Sequence, residues 1–199
     1  CCSQIWEHKG NPAGQRLTAN RTIESFYKWS GGGRIPIFCD TTSCTHTLLF
    51  ETGGDILTPE NREKYKQLKI MDITQWLKEV VLPRIKVIRP KNRILLHPTC
   101  SCQIMGLTPV LLDIARKCAR EVILPDNWGC CGASGDRGFI FPELSDSATR
   151  DERDEIGHES FDGCYSLART CEIAMQDHIE QPYESIVYLV DETIQDQGT

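Results

Sequence analysis

Apolar residues fall along this chain in short continuous runs, separated by stretches whose apolar positions recur every three or four residues. QRLTANRTIESFYKW, 15–29, has the spacing of an amphipathic helix and stops at Gly31-Gly32-Gly33. IPIF, 35–38, is short, wholly apolar and bounded by turn residues, as a buried strand is. TPENREKY opens a helix over 58–68, with Thr58 as N-cap and Pro59 at the first helical position. IMDI, 70–73, reads as a strand edge, and ITQWLKEVVLPRI, 73–85, as a helix with Pro83 near its end. RILLHP, 93–98, and EVILP, 121–125, are strands on either side of a helix over 109–120. The polar run 145–160 is expected as a surface helix whose acidic part, 151–159, faces water. CEIAMQDHIE, 171–180, follows as a helix, and SIVYLVDETI, 185–194, is read as a strand ending in a turn of helix.

Strands alternating with helices predict an α/β fold with parallel strands. Ligands in such sheets sit beyond the carboxyl ends of the strands. Cys39, Cys100 and the adjacent pair Cys130-Cys131 each follow a strand-like run within a few residues.

The chain also repeats itself. CCSQIWEHKG at the start lines up with CCGASGDRG at 130–138, and Cys2 to Cys44 spans nearly the same distance as Cys131 to Cys171. IMDITQWL resembles LVDETIQD, each with an apolar run ending in Asp, at Asp72 and Asp191. Two copies of one unit are expected: 1–92, truncated at its N-terminus so that its first strand and first cysteine would precede residue 1, and a complete copy over 93–199. The basic connector IRPKNR, 88–93, is the expected boundary.

Composition narrows the chemistry. The formal net charge is −6 with no basic patch, which argues against nucleic acid as a partner. No run approaches the length of a transmembrane helix. Eleven cysteines in 199 residues is well above ordinary usage. The count is odd and two pairs are vicinal, where bridging is strained, so metal-binding thiolates in a reducing compartment are expected rather than disulfides. In the second copy Cys100, Cys130, Cys131 and Cys171 form the spacing, with Cys102 and Cys164 nearby. Thiolates are soft ligands that suit iron–sulfur clusters or zinc. A vicinal pair is unusual for a zinc knuckle, and Gly132 and Gly135 suit a loop that brings N–H groups up to sulfur. Cys118 on its helix reads as core, and His97 in HPTC as a structural histidine at a strand end.

These motifs resemble the cysteine-rich CCG domain of heterodisulfide reductases, the iron–sulfur subunit of glycolate oxidase and related lactate-utilisation proteins. GCCGASGDRGFIFPELSDSATR and DGCYSLARTCEIAM are similar to the C-terminal region of long FAD-linked D-lactate dehydrogenases. The resemblance implies an electron-transfer domain carrying a [4Fe–4S] cluster, with no complete active site of its own. Its partners would be upstream FAD and ferredoxin-like domains, with FAD on the former, and a quinone or cytochrome acceptor. The location implied is cytoplasmic, up to peripheral at the inner membrane face. The implied ligands are Cys100, Cys130, Cys131 and Cys171, with Cys164 in reserve, and Cys1, Cys2, Cys44 and Cys39 in the first copy.

The family pattern ends in Cys-x-x-Cys, whereas this chain has Thr41 and Ala168 in place of the first of those cysteines. That departure leaves zinc open, and with it a zinc-stabilised docking domain of the same enzyme. A thiol catalyst acting on disulfides is a third reading, and it needs low-pKa thiolates.

Overall fold

The computed structural model describes residues 2–194, so Cys1 lies outside the described residues. The chain is α/β with parallel sheets, and it divides into two compact units between Ile73 and Thr74. Among the described residues no helix is long and apolar enough to cross a membrane.

In the first unit, α1 (Gln4–His8) leads to α2 (Pro12–Trp29). Asn11 caps α2 by accepting the Gly14 N–H at 2.9 Å, ahead of a proline that has no N–H to satisfy. The glycine run ends this helix because Gly31, Gly32 and Gly33 all take positive φ, and a Cβ at Gly33 would strike the Gln67 carbonyl. Strand β1 (Ile37–Cys39) is followed by α3 (Thr42–His46), which continues as a π-helical turn over Thr47–Glu51. After α4 (Pro59–Tyr65), strand β2 (Ile70–Asp72) pairs parallel with β1, Cys39 opposite Asp72. Thr58 caps α4 as its sequence predicts, accepting the Asn61 N–H at 3.3 Å. Ala19, Ile23 and Leu57 form the core between α2 and the segment entering α4.

The second unit begins within α5 (Ile73–Trp76), which runs on as a π-helical turn and then a 3₁₀ turn over Leu82–Arg84. Four parallel strands follow: β3 (Lys91–Leu96), β4 (Ala119–Ile123), β5 (Cys164–Ser166) and β6 (Tyr183–Ser185). Between β3 and β4 lie α6 (Cys100–Ile104) and α7 (Thr108–Cys118). Between β4 and β5 lie α8 (Arg137–Ile140) and α9 (Pro142–Ile156). Helix α10 (Arg169–Ile179) joins β5 to β6, and α11 (Ile186–Thr193) follows β6. The strand order is β4-β3-β5-β6. The chain therefore steps from β3 to one side and later resumes on the other, which makes the carboxyl ends of β3 and β5 the topological switch point. Cys118 is fully buried on α7 beside Leu111, Ile114 and Ala115, as a core residue.

Three expectations change. The strand expected over 185–194 is helix α11. Pairing with β5 stops at Ser185, whose Oγ accepts the Val187 N–H at 3.4 Å and starts a helix. Ile186, Leu189, Val190 and Thr193 are then buried at helical spacing. The match of IMDITQWL to LVDETIQD is thus out of register, since β2 corresponds by its place after the cysteine-bearing helix to β6. Second, residues 74–92 belong to the second unit, so the connector 88–93 lies inside it. The Ile88 N–H donates to the Thr193 carbonyl at 2.9 Å, and two of the three basic side chains are paired, Lys91 with Glu192 at 2.7 Å and Arg93 with Glu121 at 3.3 Å. Third, the acidic run is not wholly solvated, because α9 buries Ser145, Thr149, Glu152 and Ile156 on one face.

The helical reading of α11 makes neighbouring residues differ sharply. Leu189→Ala should cost about 2–5 kcal/mol in denaturant unfolding, whereas exposed Tyr188→Ala should stay within about 0.5 kcal/mol.

Candidate metal centre

The switch point carries the sulfur. Thr99, just past β3, accepts the Cys102 N–H at 3.2 Å and starts α6 with Cys100 as its first residue. Leu167 and Ala168, just past β5, are buried and lead into α10, where Cys171 stands in the first turn. Cys130 and Cys131 lie in the loop between β4 and α8. Cys131 follows that loop into the core, where it shares a cluster with Ala133, Cys164, Ala168 and Cys171.

Four thiols lie together. Cys131 Sγ lies 2.9 Å from Cys171 Sγ, and Cys130 is near enough to Cys100 and Cys131 for the three thiols to shift one another's acidity. Cys100 and Cys130 are exposed, Cys131 and Cys171 buried. The group has one favoured seat for negative charge. Hydrogen bonds from Cys100 and then Cys131 pull the Cys130 thiol down to about 2, and the Gly132 N–H assists. Cys100 and Cys131 are correspondingly pushed far up, by their bonds to Cys130 first.

Gly132 makes this geometry possible. It has φ +73°, and a Cβ there would come within 2.6 Å of the Leu144 carbonyl and 2.7 Å of Ser145 Cα. The loop therefore presses directly on α9, and the Gly132 N–H sits 3.5 Å from Cys130 Sγ.

His97 lies just past the end of β3, fully buried, with Nδ1 2.9 and 3.1 Å from the two Glu152 carboxylate oxygens. A carboxylate accepts, so Nδ1 carries the hydrogen in this pair. Nε2 is buried without a hydrogen-bond partner. Ser166 Oγ donates to the His97 carbonyl at 2.8 Å, tying the ends of β3 and β5 together. The sequence alone did not point to Glu152 or Ser166. The available signal was the spacing Ser145, Thr149, Glu152, Ile156, which repeats as one helix face.

Of the remaining cysteines, Cys164 packs in the same buried cluster as Cys131 and Cys171. Cys102 Sγ lies 3.9 Å from Thr108 Oγ1. Cys164 is in strand β5, opposite Leu95 and Tyr183, and burial pushes its thiol up to about 12. In the first unit Cys2 and Cys44 hydrogen-bond each other, which lowers Cys2 to about 6 and pushes Cys44 far up. Cys39 ends β1 and is raised to about 11, by burial first. The contacts repeat across the units, Cys2 with Cys44 as Cys131 with Cys171. Ser3 and Gly132, each following the second cysteine of its pair, both have positive φ, at 79° and 73°. Cys39 and Cys164 are not equivalent, because Cys39 closes β1 whereas Cys164 opens β5.

Among the described residues no three His, Cys, Asp or Glu side chains stand in the arrangement of a single-ion site. Cys131 Sγ and Cys171 Sγ, 2.9 Å apart, are closer than the roughly 3.8 Å between two thiolates on a tetrahedral zinc. The donor chemistry fits a soft metal, and loading requires Cys131 and Cys171 to part. No protein-family model matches the chain, and no curated protein matches it.

Because the Cys130 thiol is lowered, its thiolate is present throughout the neutral range. Alkylation of Cys130 by iodoacetamide in metal-free protein should stay nearly flat between about pH 6 and pH 8, where an ordinary thiol rises about tenfold per unit. Peptide mapping by mass spectrometry reads this site by site.

Proposed function

We propose that this chain is an iron–sulfur electron-transfer domain of the CCG type, serving a flavin-dependent D-2-hydroxy-acid dehydrogenase of the D-lactate kind. The observation that carries the reading is the convergence of Cys100, Cys130, Cys131 and Cys171, from two helix starts and one loop, at the switch point of a parallel sheet. Those four residues would hold the group, and Cys2, Cys39 and Cys44 mark the corresponding place in the first unit. A [4Fe–4S] cluster there would accept and release one electron at a time.

The chain's own residues supply the surroundings. The Gly132 N–H offsets negative charge on Cys130 sulfur, and Glu152 fixes the orientation of the buried His97 ring. Burial of Cys131 and Cys171 excludes water from the inner side. Exposed Cys100 and Cys130 leave the outer side open to an electron partner. Phe139, Ile140, Phe141 and Leu144 are also exposed, at the start of the segment that presses on the Cys131 loop. An apolar surface beside the sulfurs suits docking of the FAD or ferredoxin-like domains, with a quinone or cytochrome as final acceptor.

A zinc-stabilised docking domain of the same enzyme is the second reading. It is favoured by Ala168, which stands buried at the N-cap of α10 where the family pattern has a thiolate.

Anaerobic reconstitution with ferrous iron and sulfide decides between them. The electron-transfer reading expects a brown protein whose broad visible absorption is bleached by dithionite. Cys130→Ser and Cys171→Ser should each lose most of that iron while keeping the fold by circular dichroism. A chain that takes up no iron or sulfide under these conditions, yet binds zinc when zinc is offered in a parallel incubation, would overturn it.

A further inference from the structure

Cys131 Sγ and Cys171 Sγ stand 2.9 Å apart, both as free thiols and both buried. Fixed elements set this approach. Cys171 is in the first turn of α10, and Cys131 is anchored in the same core by Ala133 and Ala168. Two thiols held in contact in this way react at a high effective concentration, with little loop closure left to make. The vicinal alternative, Cys130 with Cys131, is strained. Cys2 and Cys44 also influence each other in the first unit, so an interaction between these two positions is not peculiar to one loop.

We propose that Cys131 and Cys171 are a dithiol–disulfide pair that closes the four-thiol site to metal when oxidised and reopens it when reduced. The consequence for metal rests on the metal-site reading above, whereas the covalent chemistry does not. The oxidant is a low-molecular-weight disulfide of the glutathione class, RSSR. The Cys171 sulfur, the more exposed of the two at 8% against 4%, attacks RSSR. The S–S bond of RSSR breaks, one RS⁻ leaves and takes a proton as RSH, and a mixed disulfide forms on Cys171. Cys131 sulfur then attacks the Cys171 sulfur, displacing the second RS⁻, which leaves as RSH with the Cys131 proton. Two electrons pass from the protein to RSSR. The segment between Ile123 and Arg137 contains no helix or strand, so Cys131 can admit the oxidant without unfolding either.

The product withdraws two of the four sulfurs at once. A disulfide sulfur is no longer a thiolate and is a poor metal ligand, and the pair is held tighter at the moment when loading requires it to part. Metal bound first would protect both sulfurs.

The test uses the metal-free full chain, incubated without oxygen with oxidised glutathione, alkylated and mapped by mass spectrometry. The expected result is a Cys131–Cys171 cross-linked peptide, lighter by two hydrogens, that disappears with dithiothreitol and is absent from Cys171→Ser. Cobalt(II), added as a thiolate probe, should give roughly tenfold less charge-transfer absorption in the oxidised chain, restored on reduction. Glutathione adducts confined to Cys100 and Cys130, or cross-links that leave Cys131 and Cys171 free, would overturn the pairing. A cross-link with cobalt uptake unchanged would overturn the closure. The cross-link is read without metal, so failure of iron reconstitution alone would count against the electron-transfer reading and leave this pair standing.

Discussion

The parallel pairing of β3 with β5 holds the thiol site together. The Leu95 N–H donates to the Gly163 carbonyl at 3.0 Å, and the His97 N–H to the Tyr165 carbonyl at 2.9 Å. Asp162 N–H donates to the Arg93 carbonyl at 2.8 Å on the same seam. These bonds place the ends of two strands side by side although about 70 residues of chain lie between them, and everything that follows each strand starts from there. Cys100 follows one end through Thr99, and Cys171 follows the other through Ala168. Cys130 and Cys131 come in from β4, on the far side of β3. A register slip of one residue would turn His97 and Ser166 to the opposite faces and separate the sulfurs.

The site is built at some cost in stability. A carboxylate and an imidazole are buried together at Glu152 and His97, and an isolated charge in that position would be severely penalised. Gly132 forgoes a side chain so that the loop can lie on α9. Cys131 and Cys171 bring sulfur into contact inside an apolar cluster that also includes Met175, Ile179 and Tyr183. A fold selected for stability alone would fill these positions with well-packed aliphatic residues. Their arrangement at the strand ends is what a soft-metal or thiol function requires.

Much of this was legible in the sequence. Thr58-Pro59, the spacing of α7 and the runs at β3 and β4 all carry local signals, and the structure follows them. The contact between Cys131 and Cys171 joins two residues that the spacing of the motif singles out, whereas Cys39, which also follows a strand-like run, lies in the first unit. What was not legible depended on tertiary contacts. IVYLV, β-branched and aromatic, carries strand propensity, but β6 ends at Ser185 and burial on one helical face decides α11. Glu152 is hidden in an acidic run, and only its buried position against His97 separates it from its solvated neighbours. The basic stretch at 88–93 looks like a linker because its partners, Glu121, Glu159 and Glu192, lie far along the chain.

The electron-transfer proposal needs Cys100, Cys130, Cys131 and Cys171 to close on one iron–sulfur centre. Iron K-edge X-ray absorption on the anaerobically loaded chain tests it most directly. The expected spectrum has a first shell of sulfur with iron neighbours beyond it, and the iron–iron signal is lost in Cys131→Ser. A first shell of oxygen and nitrogen, or an iron–iron signal that survives Cys131→Ser unchanged, would contradict it.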